Sequence, residues 1–359
     1  MKNDTQTIWD RARGYQSRIA ELGALVTDAD ILQPAGTLLD LYGEDIRARA
    51  FTTQDPLRGE QMLRPDFTVP IVQRHMAYGA EPARYTYLGK VFRKQEDDTG
   101  RPSEFVQVGY EVFDGSNPAA ADAEVFATIA DLLSDVAVTA STGDIGILRA
   151  AVQGLNTTDR RRSALMRHLW RPRRFKALLD RFSGLSEMPA ARVALLDQAD
   201  PMSDLPPILG LRTESEIALR IDALREDAAT DPISNMERDL LDALLQVRAT
   251  APNALIALRD IAVDLPSISP AVNGLAARLD TLAARGVDVE TLPFEASYGR
   301  TSMEYYDGFV FGFAADPALN LPPLATGGRY DALTTVLGGG TGVPAVGGVI
   351  RPDLVEAAL

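Results

Sequence analysis

Polar and apolar side chains alternate in two separated stretches of this sequence. In residues 105–113 the two-residue period of a β-strand puts Gln107 and Glu111 on one face, with a glycine between them. Residues 304–313 divide in the same way and place Tyr306 on their polar face. The glycines predict open space above the backbone. Side by side, the two faces predict a concave surface that suits a small zwitterion, although the first strand alone also fits a half-exposed strand facing water.

The elements that position these faces come from both ends of the chain. Residues 7–25 have the apolar spacing of an amphipathic helix, and residues 51–112 alternate strand-like pieces with turns. The middle of the chain is rich in Ala, Leu, Arg and Asp at helical spacing, and strand-like composition returns from Val287. We therefore predict an α+β protein. Its parts are a core in 1–155, a mainly helical insertion in 156–286, and the rest of the core in 287–359.

Composition excludes several kinds of chemistry. The 359 residues include no cysteine and two histidines, His75 and His168. Disulfides, thiolate metal ligands and cysteine nucleophiles are therefore excluded, and we predict neither a metal nor a cofactor. The net charge of −14 disfavours general binding to nucleic acids. The polar N-terminus and the lack of long apolar runs predict a cytoplasmic protein that does not enter a membrane.

Five motifs occur in an order that is more specific than any one of them. In that order the chain resembles the catalytic core of histidyl-tRNA synthetase, a class II aminoacyl-tRNA synthetase, over most of 1–150 and 287–359. The motifs are Leu-Arg-Pro-Asp-Phe-Thr at 63–68, Tyr-Leu-Gly-Lys-Val-Phe-Arg at 87–93, the stretch 100–113, Met-Glu-Tyr-Tyr at 303–306 and Gly-Gly-Arg-Tyr-Asp at 327–331.

The resemblance implies a fold and a ligand. The fold is an antiparallel sheet of six or seven strands flanked by helices, which dimerises through the segment around Pro34. The ligand is histidine, bound on the sheet. Its ammonium group corresponds to Asp66, Thr68 and Gln107, its carboxylate to Arg93, and its imidazole to Glu111, Tyr306 and Tyr330.

The nucleotide half of the synthetase pattern is altered. Gln95 stands where the family has an adenine-reading glutamate, with Glu96 one residue later, and Ser103 and Leu354 replace arginines. Thr301 occupies the position of a catalytic arginine. Strand alternation would instead put its neighbour Arg300 on the Tyr306 face, and the role of that arginine stays open. We expect no adenylation activity and no catalytic residues.

The chain thus keeps the histidine-binding residues, has altered nucleotide-binding residues and is expected to have no anticodon-binding domain. In these three features it is similar to the regulatory subunits of ATP phosphoribosyltransferase. The similarity implies a non-catalytic protein that activates the short-form catalytic subunit in histidine biosynthesis and mediates feedback inhibition by L-histidine. It also implies a dimer within a hetero-octamer and no tRNA partner. Two alternatives stay open, namely an active histidine-adenylating enzyme and a stand-alone histidine sensor.

A basic stretch spans residues 160–181 of this acidic chain, with Asp180 as its one acidic residue. It is interpreted either as a solvated helical face, as a subunit contact or as a relic RNA contact. We expect His75, on a helix predicted over 69–78, and His168 to be surface or partly buried residues and not catalysts. The glycine-rich segment 338–342 lacks the lysine of a phosphate-binding loop, which favours a flexible turn beside the site, with a lid as the alternative.

Overall fold

Six antiparallel strands form the centre of the larger sheet in the computed structural model, which describes residues 5–36, 49–95, 101–203, 210–300 and 305–359. Each strand pairs with its neighbours through a continuous antiparallel register. In spatial order the strands are β5 (Ala83–Phe92), β6 (Glu104–Phe113), β12 (Ala345–Ile350), β11 (Ala325–Arg329), β10 (Phe309–Ala314) and β7 (Thr139–Asp144). The predicted antiparallel sheet is confirmed at this centre.

Short strands extend the sheet at both edges, giving nine strands within the described residues. At one edge β1 (Leu25–Val26) runs parallel to β5. At the other, β9 (Pro293–Glu295) runs parallel to β7, and β8 (Arg248–Thr250) pairs with β9. The whole sheet is therefore mixed. Parallel pairing is possible at these edges because long stretches of chain separate the partners.

A second, smaller sheet contains three described strands. They are β2 (Leu32–Pro34), β4 (Gly59–Leu63) and β3 (Thr52–Asp55), all antiparallel.

Helices cover both faces of the central sheet. On one face, β6 packs Val108, Tyr110 and Val112 into a core shared with Phe126 and Phe311. The other face carries the candidate site. The helices flanking the sheet are α1 (Thr5–Glu21), α2 (Thr68–Tyr78), α3 (Pro118–Leu132), α4 (Ile145–Gln153), α12 (Asp331–Leu337) and α13 (Pro352–Ala358).

Seven further helices lie between residues 159 and 284 of the described chain. They are α5 (Asp159–Arg167), α6 (Pro172–Phe182), α7 (Ala190–Leu196), α8 (Glu214–Ala229), α9 (Asn235–Gln246), α10 (Ala251–Asp264) and α11 (Ser269–Ala284). Capping boxes start α8 at Thr213 and α9 at Ser234, which satisfies amide groups that a helix start leaves free. Strand β8 ties this helical region to the sheet edge.

The basic stretch is partly internal. Arg161 is buried and pairs with Asp227 at 2.6 Å, whereas Arg173 and Arg174 are exposed. The interpretation as a wholly solvated face is therefore wrong for Arg161, because its guanidinium crosses to α8.

The predicted alternation holds on β10 but does not extend back to residue 305. Phe309, Phe311 and Phe313 belong to the same core as Val108 and Phe126, as expected. The strand begins only at Phe309, and Tyr305 and Tyr306 both contact the cluster on the opposite face. The chain turns before the strand because the carboxylate of Asp307 accepts hydrogen bonds from the first amides of α12.

Candidate ligand-binding site

A buried carboxylate, that of Glu111 on β6, lies at the centre of the candidate site. Its Oε1 accepts hydrogen bonds from Thr68 Oγ1 at 2.9 Å and from Tyr87 OH at 3.4 Å. Its Oε2 accepts one from Tyr330 OH at 2.5 Å. The start of α2, strand β5 and the end of β11 therefore meet around one side chain of β6.

Burial raises the pKa of Glu111 to about 7, and the negative charge of Asp66 adds to that increase. The hydroxyl groups of Tyr330, Thr68 and Tyr87 oppose it by hydrogen bonding to the carboxylate. A carboxylate held in this way is stabilised by a further hydrogen-bond donor or by a positive charge. The centre of the site thus favours a ligand that presents an N–H group or a cation.

Glycines on neighbouring strands make room for this cluster. A Cβ at Gly347 of β12 would lie 1.5 Å from Glu111 Oε2, so no larger residue fits beside the carboxylate. A Cβ at Gly109 would lie 1.9 Å from the ring of Tyr87. The expectation that Gly109 leaves space for a ligand is therefore wrong, because the Tyr87 side chain from the paired strand fills that space.

Two acceptor groups lie on the side of the site near the start of α2. Asp66 and Gln107 are 3% and 2% exposed, so both are almost fully buried. Among the described residues, Gln107 Oε1 has no hydrogen-bond partner. A buried amide oxygen without a donor is costly. This pair of side chains is suited to accept hydrogen bonds from a ligand ammonium group.

A phenol and a guanidinium complete the predicted set. Burial raises the pKa of Tyr306, and the charges of Glu111 and Asp66 add to the effect, whereas Arg93 opposes it. Arg93 is only half-buried, and its Nε donates to the carbonyl of Pro65 at 2.8 Å. The structure therefore brings all seven predicted residues to one face of the sheet, with Arg93 at its rim.

Sequence reasoning missed Tyr87. Tyr87 pairs in register with Gly109, which lies between Gln107 and Glu111, and no pattern within β5 alone gives this pairing. His75 is buried, stacks on Phe113 with ring centroids 3.9 Å apart and contacts Tyr85 OH through Nδ1 at 3.0 Å. It lies on α2 as expected but is 3% exposed, so the expectation of a surface or partly buried position is wrong.

The side chain of Arg300 lies away from Tyr306. Its Nε donates to the carbonyl of Leu169 at 2.8 Å, and its guanidinium lies 5.0 Å from the ring centre of Phe175. The side chain thus extends toward the helical region and not onto the Tyr306 face, where strand alternation would put it. Alternation fails here because the strand begins only at Phe309. Glu96, Thr301 and Glu304 lie outside the described residues.

A network of buried ion pairs connects the site to the helical region. Asp122 accepts from Arg278 Nε at 2.8 Å and from Arg329 Nη2 at 2.7 Å, and all three side chains are buried. Arg278 also pairs with Asp144 at 2.9 Å. Because Arg329 directly precedes Tyr330, this network links the Glu111 cluster to helix α11.

The residues that correspond to the nucleotide-binding half of the synthetase pattern contact other side chains of the protein. The guanidinium of Arg351 lies 3.8 Å from the ring centre of Phe105 and pairs with Asp353 at 2.8 Å. Leu354, at the position where the synthetases have an arginine, is buried in the same core as Val108 and Phe126. One face of the Phe105 ring is therefore covered by a protein side chain.

The described residues contain neither a membrane-spanning helix nor a cluster of metal-binding side chains. No helix there is long and apolar enough to cross a membrane. The same part of the chain has no group of three or more His, Asp or Glu side chains arranged to hold a metal ion.

Fold and site together define a class II synthetase-like core with a buried acidic cluster on one face of its sheet, and comparison with known proteins agrees. The family model for histidyl-tRNA synthetase matches residues 30–200 and 217–355. A solved structure from Bacillus halodurans C, described as an ATP phosphoribosyltransferase regulatory subunit/histidyl-tRNA synthetase, superposes with a TM-score of 0.69 at 22% identity. The superposition covers 98% of this chain and 78% of that one.

Two curated relatives identify the branch of the family more narrowly. An ATP phosphoribosyltransferase regulatory subunit from Brucella anthropi is 31% identical over 360 residues, covering 93% of each chain. One from Brucella canis is 30% identical over 358 residues, again covering 93% of each. The chain therefore belongs to the histidyl-tRNA-synthetase-like family of ATP phosphoribosyltransferase regulatory subunits.

Proposed function

We propose that this chain is a non-catalytic subunit that binds the short-form catalytic subunit of ATP phosphoribosyltransferase, activates it and transmits inhibition by L-histidine. Family membership supports the regulatory role. The observation that supports histidine as the ligand is the buried carboxylate of Glu111. It accepts hydrogen bonds from three hydroxyl groups, and burial raises its pKa to about 7.

Histidine matches the polarity of the site from end to end. Its imidazole lies at Glu111, Tyr306 and Tyr330, with its N–H donating to the glutamate. Its ammonium group is held by Asp66, Thr68 and Gln107, and Gln107 Oε1 otherwise has no partner among the described residues. Its carboxylate pairs with Arg93 at the rim. A neutral or cationic imidazole also relieves the cost of burying the Glu111 charge.

The other half of the synthetase pattern supports the lack of adenylation. Adenylate formation requires cationic groups around the phosphates. Leu354 is buried in the core in place of one such arginine, and Arg351 covers a face of the Phe105 ring. Neither arrangement favours a bound nucleotide.

Self-association is supported by an apolar surface near the N-terminus. The segment before and within β2 exposes large apolar side chains, as a subunit interface does. Its exposed fractions are 57% for Leu22, 58% for Leu25, 57% for Val26, 48% for Ile31 and 43% for Leu32. We infer that two copies associate here and that such dimers combine with the catalytic subunits in a hetero-octamer.

Histidine influences the partner only if it prefers one conformation of the assembly, and coupling of this kind is typically about 1–3 kcal/mol. The Tyr330 hydroxyl contacts Glu111, and the adjacent Arg329 connects through Asp122 to Arg278 on α11. We propose this chain of contacts as the route along which ligand binding biases the helical region.

Calorimetric titration of L-histidine into the purified chain tests the ligand assignment. Loss of a charged hydrogen-bond acceptor costs about 1.5–3 kcal/mol, so Glu111→Gln should weaken histidine binding by roughly 10- to 100-fold. The matched control is Glu104→Gln on the same strand, where the glutamate is half-exposed and pairs with Lys90. Equal histidine affinity in both variants would contradict the site.

A further inference from the structure

A cleft of about 390 Å³ lies between the helical region and the edge of the sheet, and none of the residues around Glu111 lines it. Helices α6 and α9 form one side, and strands β8 and β9 with the loop that follows form the other. Its volume falls within the roughly 300–1,000 Å³ typical of small-ligand sites. Phe175, Leu245 and Pro172 give it an apolar wall.

Arg300 lines this cleft and differs from the other buried arginines. Five arginines in the described chain are at least nine-tenths buried, and four of them pair with a carboxylate. Arg300, 5% exposed, forms no ion pair with any described residue. Its Nη2 also has no hydrogen-bond partner there. A buried guanidinium without a counter-charge is costly, and it marks a place where an anion would be stabilised.

The other charges of the cleft balance one another. Lys176 Nζ lies 3.0 Å from Asp242 and 3.1 Å from Asp180, which is outside the lining, and Arg248 Nε lies 3.8 Å from Glu295. Among the described lining residues, Arg300 is thus the cation left without a carboxylate. The lining carries one net positive charge, which a single negative charge neutralises.

The environment of Arg300 agrees with this geometry. Burial lowers the pKa of the guanidinium to about 10, with no carboxylate raising it. The amino-terminal end of α6, at Pro172, also borders the cleft, and the amide groups at a helix start favour negative charge.

We propose that this cleft is a second ligand site, which binds a small organic monocarboxylate with its carboxylate on Arg300 and its apolar body against Phe175 and Leu245. A monoanion satisfies the charge balance, whereas a dianion would be repelled by Asp242 and Glu295. This inference does not depend on the proposed function, because it uses none of the residues around Glu111.

Titration calorimetry of the full chain with sodium benzoate tests the proposal. Benzoate should bind saturably, whereas benzamide, its neutral counterpart, and inorganic phosphate should bind at least tenfold more weakly. Absence of saturable benzoate binding, or equal binding of benzamide or phosphate, would overturn it.

Three variants locate the binding. Arg300→Met should abolish benzoate binding, and Gln246→Trp, at an exposed lining position, should block the cleft without touching Arg300. Glu111→Gln should leave benzoate binding unchanged. Should Arg300→Met fail to fold because the bond to Leu169 is lost, Gln246→Trp still decides, since benzoate binding that persists in it contradicts the site.

Tryptophan fluorescence gives an independent readout. The chain has two tryptophans, and Trp170 directly follows Leu169, whose carbonyl accepts the Arg300 hydrogen bond. In a Trp9→Phe background, benzoate should change the remaining emission with the same affinity that calorimetry gives. A mismatch between the two affinities would place benzoate elsewhere and refute the assignment.

Discussion

Replacing Glu111 by glutamine should make the folded chain more stable at neutral pH than the wild type. The wild type must bury a carboxylate that is 1% exposed, and the pKa of that group rises from 4.5 to about 7 on folding. A raised pKa means that the folded state holds the proton more tightly than the unfolded state. The wild type therefore loses stability as pH rises through this interval.

The size of the effect follows from the shift. At 1.36 kcal/mol per pH unit, a rise from 4.5 to about 7 corresponds to about 3 kcal/mol. The glutamine does not titrate, and it has nearly the shape of the protonated acid. The free energy of unfolding of Glu111→Gln minus that of the wild type should thus be near zero at pH 4.5. It should grow to about 3 kcal/mol above pH 7.

Urea denaturation followed by circular dichroism, at equal protein concentration and at several pH values, measures this difference. Other titrating groups, such as Asp307, whose pKa burial raises to about 6, are present in both proteins and cancel. Glu104→Gln, the same substitution at a half-exposed position of the same strand, is measured beside it as the control. A Glu111→Gln difference that does not change with pH would refute the account of a buried, proton-binding carboxylate.

Three further predictions concern packing, the charged network and catalysis. Gly347→Ala should weaken histidine binding more than tenfold in calorimetry, because its Cβ would lie 1.5 Å from Glu111 Oε2; unchanged affinity would contradict the packing described for the site. Asp122→Asn should lower the free energy of unfolding by about 3–5 kcal/mol in urea, since it leaves Arg278 and Arg329 buried without their shared carboxylate. A loss below about 1 kcal/mol would show that the network contributes little. Histidine-dependent exchange of pyrophosphate into ATP should stay at background, and exchange above background would favour the adenylating enzyme.

Much of the site could be predicted because strand alternation is a local property. Gln107 and Glu111 share a face of β6 for that reason, and the order of the motifs brought in Asp66, Thr68 and Tyr330. The contribution of Tyr87 depends on the register between β5 and β6, which only the folded sheet sets. The space expected above Gly109 was assigned wrongly for the same reason.

Other features depend on contacts between distant parts of the chain. Asp122 is separated from Arg329 by 207 residues, so no local pattern indicates their pairing. Arg300 extends to the helical region because the strand begins only at Phe309, after the turn that Asp307 makes. The short parallel strands β1 and β9 carry too few residues for a readable pattern.

The rate of phosphoribosyl-ATP formation by a short-form catalytic subunit from the same source is the most direct test of the central claim. We predict that this chain raises the rate and makes it sensitive to L-histidine, and that Glu111→Gln retains the activation but loses most of the histidine response. A rate that is unchanged by the chain, or equal histidine sensitivity in wild type and Glu111→Gln, would contradict the account.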